Sequence, residues 1–358
     1  MAASRRFWLA VAAVAALATA LVAPGCATVG YYVQAARGQW ALASAARPID
    51  DWVADPATPE DLRNRLAQVR AIRDYASRAL SLPDNGSYRR YADLGRPYVV
   101  WNVVAAPEFS TRPRQWCFPF AGCVSYKGWF DAAGAEAAAS ALRAEGWDAF
   151  VHGVPAYSTL GWFDDPVLNT YVRFPRQEIA RLVFHELAHQ VAYVPGDSTF
   201  NESFATCVEQ AGVRRWLADH GSPEERRAFD AMDRYRAGFT DLVLETRDEL
   251  DRLYAGAQPG PALRAAKAAA FDRMRARYAD LKMKWGGFAG YDRWFAQPLG
   301  NAHLASVATY REQVPAFEAL LAAAGGRMDR FLDEARRLAG ADAATRERVL
   351  GAAVAPPR

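Results

Sequence analysis

Histidine and cysteine are scarce in this 358-residue chain, at five and four, and that scarcity narrows its chemistry. No two cysteines stand as Cys-x-x-Cys, which excludes the usual thiolate cage for a structural zinc. A surplus of charge is also missing. Lys and Arg number 43 against 40 Asp and Glu, for a net +3. Residues 1–25 hold two arginines and no acid, so removing them leaves 3 − 2 = +1. That balance excludes a general electrostatic attraction to nucleic acid, and Arg214-Arg215 and Arg226-Arg227 read as solvated helix faces. There is no internal repeat and no long low-complexity linker. The many alanines are scattered through helical stretches and indicate helix packing.

The N-terminus reads as an export signal. Arg5 and Arg6 form a basic start, Phe7 to Ala23 is an uncharged alanine-rich run, and Pro24-Gly25-Cys26 follows. The run is slightly short for a spanning helix, and a Cys after a small residue predicts lipoprotein processing with lipid on Cys26. An uncleaved anchor is the alternative. Either way the body is expected in the cell envelope, facing the periplasm and held to a membrane. Ala27 after the cysteine resembles outer-membrane lipoproteins. Of the other cysteines, Cys117 and Cys123 bracket a short Pro- and Gly-containing loop, suited to a local disulfide or to two buried thiols. Cys207 is expected in the core.

The densest chemistry is His185-Glu186-Leu187-Ala188-His189 with Asn201-Glu202 beyond it. Residues i and i+4 share a helix face, so both imidazoles can close on one cation. Glu186 stands beside the metal, where a carboxylate can take a proton from water and return it to a leaving amine. Gln177 to Val194 contains no Gly or Pro, Pro175 precedes it, and Pro195-Gly196 follows, which predicts a helix over that span. Ala180, Val183, Leu187 and Val191 form its apolar stripe, with Leu182, His185, Glu186, His189 and Tyr193 opposite. A second helix is expected from about Asp197 toward Leu217, with Glu202 in its first turn as third ligand to Zn2+. Thr199-x-x-Glu202 also reads as a capping box, and the pentad by itself can arise by accident. Ala192 and Pro195 occupy the positions where a metzincin needs Gly and His, which excludes that class.

Phe200-Asn201-Glu202-Ser203-Phe204-Ala205, with Glu209 seven residues beyond Glu202, resembles the Asn-Glu-Gly-Phe-Ala segment of aminopeptidase N-like gluzincins. The resemblance implies that Glu202 binds zinc and that Glu209 supports a ligand histidine. Two helical turns separate them, so they share a face. Nearly the whole chain after the signal resembles one bacterial family of zinc aminopeptidases anchored as lipoproteins. The stretches that carry it are Tyr91 to Asn102, Cys117 to Cys123, Tyr157 to Pro166, Phe184 to Gln190 and the Phe200–Leu217 helix. The Gly-Ala-Met-Glu-Asn segment with which aminopeptidase N-like enzymes hold a free amine is absent.

Helices are also expected near Tyr31–Ala46, Pro59–Leu82 and Ala135–Glu145, and strands at Tyr98–Ala106, Cys123–Phe130 and Ala149–Val154. From Pro223 to Gly351 the chain reads as helical, broken near Gly256–Gly260, Gly286-Gly287 and Gly325-Gly326. The expected fold is α+β and predominantly helical, of the gluzincin-like zincin kind: a small sheet, the metal helices, then a helical lobe. In domain terms, 1–26 is signal and lipidation site and 27–358 the zinc metallopeptidase domain. Within it the sheet-containing part spans about 90–175, the metal helices 176–218 and the lobe 222–351. Tyr157 to Phe163 can offer an open strand edge to a peptide, and Asp164 and Asp165 can receive an amine or merely form a turn. Tyr310 is chosen over His303 as the hydrogen-bond donor to the oxyanion. The sequence therefore predicts a zinc peptidase, an aminopeptidase in its leading form, acting on peptides. The alternatives are a zinc endopeptidase and a non-catalytic envelope lipoprotein with a binding or assembly role.

Overall fold

The computed structural model describes residues 28–118, 122–156, 158–308 and 313–354. Two compact units divide the chain, Met1–Ala45 and Ala46–Arg358. In the first, residues 28–45 form helix α1. The second begins with β1 (Arg47–Pro48) and α2 (Ile49–Ala54), followed by α3 (Glu60–Leu80). Glu60 and Asp61 in the first turn of α3 complement the helix dipole. Leu62, Leu66, Val69, Ile72, Ala76 and Leu80 recur at helical spacing and bury one face. Arg73 on this helix is fully buried and donates to the carbonyls of Ser87, Pro83 and Asn85 at 2.7, 2.7 and 3.1 Å. A guanidinium satisfied by carbonyls in this way fixes the loop that precedes β2 (Arg90–Ala92).

The main sheet centres on β3 (Val100–Pro107). After β3 the chain forms β4 (Trp116–Phe118), β5 (Gly122–Val124), β6 (Lys127–Trp129), α4 (Ala132–Ala144), β7 (Trp147–Val154) and β8 (Val167–Leu168). β3 pairs antiparallel with β6 on one side and β7 on the other, with Asn102 opposite both Gly128 and His152. α4 covers one face through Ala135 and Ala139 against Val103. The single strand expected over Cys123–Phe130 is instead two. β5 pairs with β4 as a separate hairpin, in which Cys117 lies opposite Cys123 and is disulfide-bonded to it, while β6 joins the main sheet. A third small sheet, β1-β2-β8, is too short to leave a pattern in the sequence.

The remainder is helical: α5 (Arg176–His189), α6 (Ser198–His220), α7 (Pro223–Tyr254), α8 (Pro261–Lys284), α9 (Asp292–Phe295), α10 (Asn301–Ala308), α11 (Val314–Ala323), α12 (Met328–Ala339) and α13 (Ala343–Val354). The fold is α+β and predominantly helical, as expected. Ser222 and Glu225 close a capping box at the start of α7. α7 and α8 pack through Phe239, Leu250, Phe271, Met274 and Tyr278, with Phe239 stacked on Tyr291 at 4.1 Å and Tyr278 on Phe295 at 3.9 Å. Phe317 of α11 and Phe331 of α12 lie against Phe200 and Phe204, so the C-terminal helices brace α6 from behind. Gly212 lets α6 approach closely, since a Cβ there would stand 2.9 Å from side-chain carbons of both Leu80 and Phe184.

Candidate metal centre

Helix α5 ends at His189, five residues short of the expected Val194. The reason is tertiary. Asn201 of α6 accepts from the Val194 N–H at 2.7 Å and donates to its carbonyl at 2.9 Å, holding 190–197 as a turn that brings α6 back over α5. Gly122 (φ +72°) supports that turn from outside, and a Cβ there would fall 2.4 Å from the Gly196 nitrogen. The cap of α6 is Asp197, which accepts from Phe200 N at 3.1 Å, so Glu202 does not close the capping box that Thr199-x-x-Glu202 suggested.

Glu202 points instead into the site. His185 Nε2 lies 3.2 Å from His189 Nε2 and 3.2 Å from Glu202 Oε2, and His189 Nε2 lies 3.9 Å from the same oxygen. Donors bound to one zinc at tetrahedral angles stand roughly 3.3 Å apart. Among the described residues these three form the group that can hold a metal ion, and two imidazoles with one carboxylate are a donor set that suits zinc.

The surroundings are built for positive charge. His185 Nδ1 lies 2.9 Å from Glu209 Oε2, a contact that fixes the ring and turns Nε2 toward His189 and Glu202. Arg181 donates to both Glu209 oxygens at 3.2 Å and to Glu178 at 3.0 Å, and Arg236 reaches Glu178 at 2.6 Å. Burial pushes the Glu209 carboxyl up, but Arg181 and His185 outweigh it and hold its pKa down at about 2. Burial opposes charge on His185 as well, and Glu202 and Glu209 overcome that, raising its pKa well above the usual value. His189 is held neutral, since burial lowers its pKa to about 4. Its Nδ1 is buried without a hydrogen-bond partner among the described residues.

Glu186 is nearly buried beside this trio. Burial, reinforced by Glu202, Asp165 and Glu209 and opposed by His185, raises its pKa to about 7. A buried carboxylate beside the trio is placed to take a proton from water and return it. Two fully buried tyrosines, Tyr88 and Tyr171, lie within the electrostatic reach of Glu186 and Asp165.

The segment after β7 offers no strand edge, for 158–166 contains turns and bends. Asp165 is buried and accepts from Thr159 N at 2.9 Å and Thr159 Oγ1 at 2.8 Å, so it ties the loop together. Gln190 joins this loop to the one before β2. It accepts from Asn85 at 2.7 Å and donates to Ser87 at 3.1 Å, and a Cβ on Gly161 would sit 3.6 Å from its side chain. His303 is a core residue. It stacks on Phe150 at 4.0 Å, and its Nδ1 accepts from Gly300 N at 3.1 Å. Tyr310 and Cys26 lie outside the described residues. Arg181 and Gln190 are the site-building residues that motif reading passed over, and Asn201, part of the motif, has a clamping role that the motif did not specify. Arg181 had a signal, since it stands four residues before His185 on the same helix face.

The family model described as "Putative aminopeptidase" matches residues 30–350. Comparison with curated proteins and with solved structures gives no match.

Proposed function

The chain belongs to that aminopeptidase family, and from this premise we propose that it is a zinc-dependent peptidase, aminopeptidase in form, working in the cell envelope. The observation that carries the reading is the convergence of His185 Nε2, His189 Nε2 and Glu202 Oε2 beside a buried Glu186 of raised pKa. Zinc bound by the three would supply Lewis acidity, polarising the scissile carbonyl and acidifying water. Glu186 takes the proton of the attacking water and delivers it to the leaving amine. Glu209 and Arg181 keep the His185 ring oriented and its Nε2 lone pair directed at the metal. Tyr310 is the proposed donor to the oxyanion.

The loop 158–165 supplies a rim. Asp165 holds it closed on itself, Gly161 passes beside Gln190, and it carries the exposed Trp162 and Phe163, which suits apolar side chains of a peptide. Lipid on Cys26 would hold the body to the outer membrane, facing the periplasm.

The deciding experiment measures bound zinc and peptide cleavage together, on the chain from Ala27 onward and on its Glu186→Gln variant. Zinc in both, with cleavage of free but not N-blocked peptides by the unmodified chain alone, is the expected result. Zinc in both without cleavage of any peptide would overturn the enzymatic reading and leave a metal-binding envelope protein. Equal cleavage of blocked peptides would replace aminopeptidase with endopeptidase.

A further inference from the structure

Helix α1 buries Leu42 on one face and leaves an apolar stripe exposed on the other. Val29, Tyr32, Val33, Ala36, Trp40 and Ala43 follow the i, i+3, i+4, i+7 spacing of one helix face, and that face is exposed. Val29 is 62% exposed, Tyr32 45%, Val33 42% and Trp40 75%, four of the eight exposed large apolar side chains among the described residues. Gln34 and Gln39, the polar residues a water-facing surface would want outside, are half-buried. Arg37 at the edge of the stripe is the one charged side chain in 28–45, and there is no acid. Scattered apolar residues on a surface are ordinary, whereas a continuous stripe of this kind marks an interface.

We propose that this stripe lies on a lipid surface, as an in-plane helix on the membrane that carries the Cys26 anchor. The proposal rests on the envelope reading above and adds a second, non-covalent attachment to it. Three features favour lipid as the occupant. The helix begins two residues after Cys26, so an acyl chain there would deliver it to the bilayer surface. Tyr and Trp on the apolar face with an Arg at its border are the composition that settles at the headgroup boundary. No described helix is long and apolar enough to cross a membrane, so the stripe would lie on the surface. A single acyl chain binds only marginally, and a second signal is what makes anchoring stable.

The test uses the unacylated chain from Ala27 onward, mixed with vesicles of phosphatidylethanolamine and phosphatidylglycerol and sedimented. Binding without any lipid on the protein is expected, and Trp40→Gln combined with Val29→Gln should reduce it about tenfold or more. Met283→Gln, an exposed apolar residue outside the stripe, should leave it unchanged. Absence of binding, or equal binding by the double variant, overturns the proposal. So does a dimer in solution that the double variant dissociates, since a second copy would then be the occupant. Acyl labelling of the full chain at Cys26 is read separately. Its failure would remove the lipid on Cys26 and leave the vesicle result standing, while peptide cleavage by the stripe variants should match the parent throughout.

Discussion

Two helix pairs sit side by side in sequence and solve opposite problems. α7 and α8 bury Phe239, Leu242, Val243, Leu250, Phe271, Met274 and Tyr278, and their charges form exposed pairs such as Arg275 with Asp272 at 3.1 Å. α5 and α6 bury Glu186, His189, Asn201, Ser203, Glu209 and Gln210. The first pair is stabilised by the area it removes from water. The second gives up much of that gain, and each buried charge must find a counter-charge or shift its pKa. It is therefore held from outside, by α3 across Gly212 and by Phe317 and Phe331 behind α6. Charge inside a helix pair is costly to keep, and here it gathers around the candidate metal centre.

The sharpest way to separate the pairs is Glu186→Gln. Peptide hydrolysis should fall by roughly 10²–10⁴-fold with thermal stability and bound zinc little changed. A variant that lost its zinc as well would show that Glu186 builds the site instead of working in it. Phe239→Ala should do the reverse. Emptying the stack on Tyr291 should cost about 3–5 kcal/mol of stability, read by denaturant melts, without altering metal affinity per folded molecule. Smaller still is Glu209→Gln, which removes the acceptor that orients His185 and the partner of Arg181. Zinc affinity should drop roughly 10–100-fold by competition with a chelator, and an unchanged affinity would demote Glu209 to a helix carboxylate.

Part of the pH dependence should come from outside the metal centre. His303 stacks on Phe150 with its pKa lowered by burial to about 4, below the usual 6.5 of an unfolded histidine. Between those values the unfolded chain binds the extra proton, so the stability His303 contributes is present above about pH 6.5 and lost as pH falls toward 4. Melts of the metal-free protein across that window should lose part of their slope in His303→Gln, the rest belonging to His152 and His189, which burial also lowers to about 4; an unaltered slope would assign the acid sensitivity to those two. Least of all, Asp272→Asn breaks an exposed i,i+3 pair and should move stability by no more than about 0.5 kcal/mol, against the marked cost at buried Glu209.

Much of this contrast was legible beforehand, but unevenly. The Gly breaks in the C-terminal half fall where helices α7, α8, α11 and α12 end or begin, because Gly at positive φ stops a helix by local sterics. The end of α5 was not legible, because nothing between His189 and Val194 forbids a helix and only the Asn201 clamp stops it. The strand expected over Cys123–Phe130 failed similarly. Its two halves are equally β-prone, and their separate partners assign them to separate sheets.

The sequence by itself determined the residues of the proposed centre: two histidines one turn apart with a glutamate between them, and an Asn-Glu pair on the next helix. Helical spacing is a local property, so it can be read locally. The tertiary structure decided what those residues meet. It turned Glu202 away from its cap and toward His185, set Arg181 behind Glu209, and buried Glu186 until its pKa approached 7. Burial and charge pairing depend on the distances between elements far apart in the chain, and those distances exist only once the chain has folded.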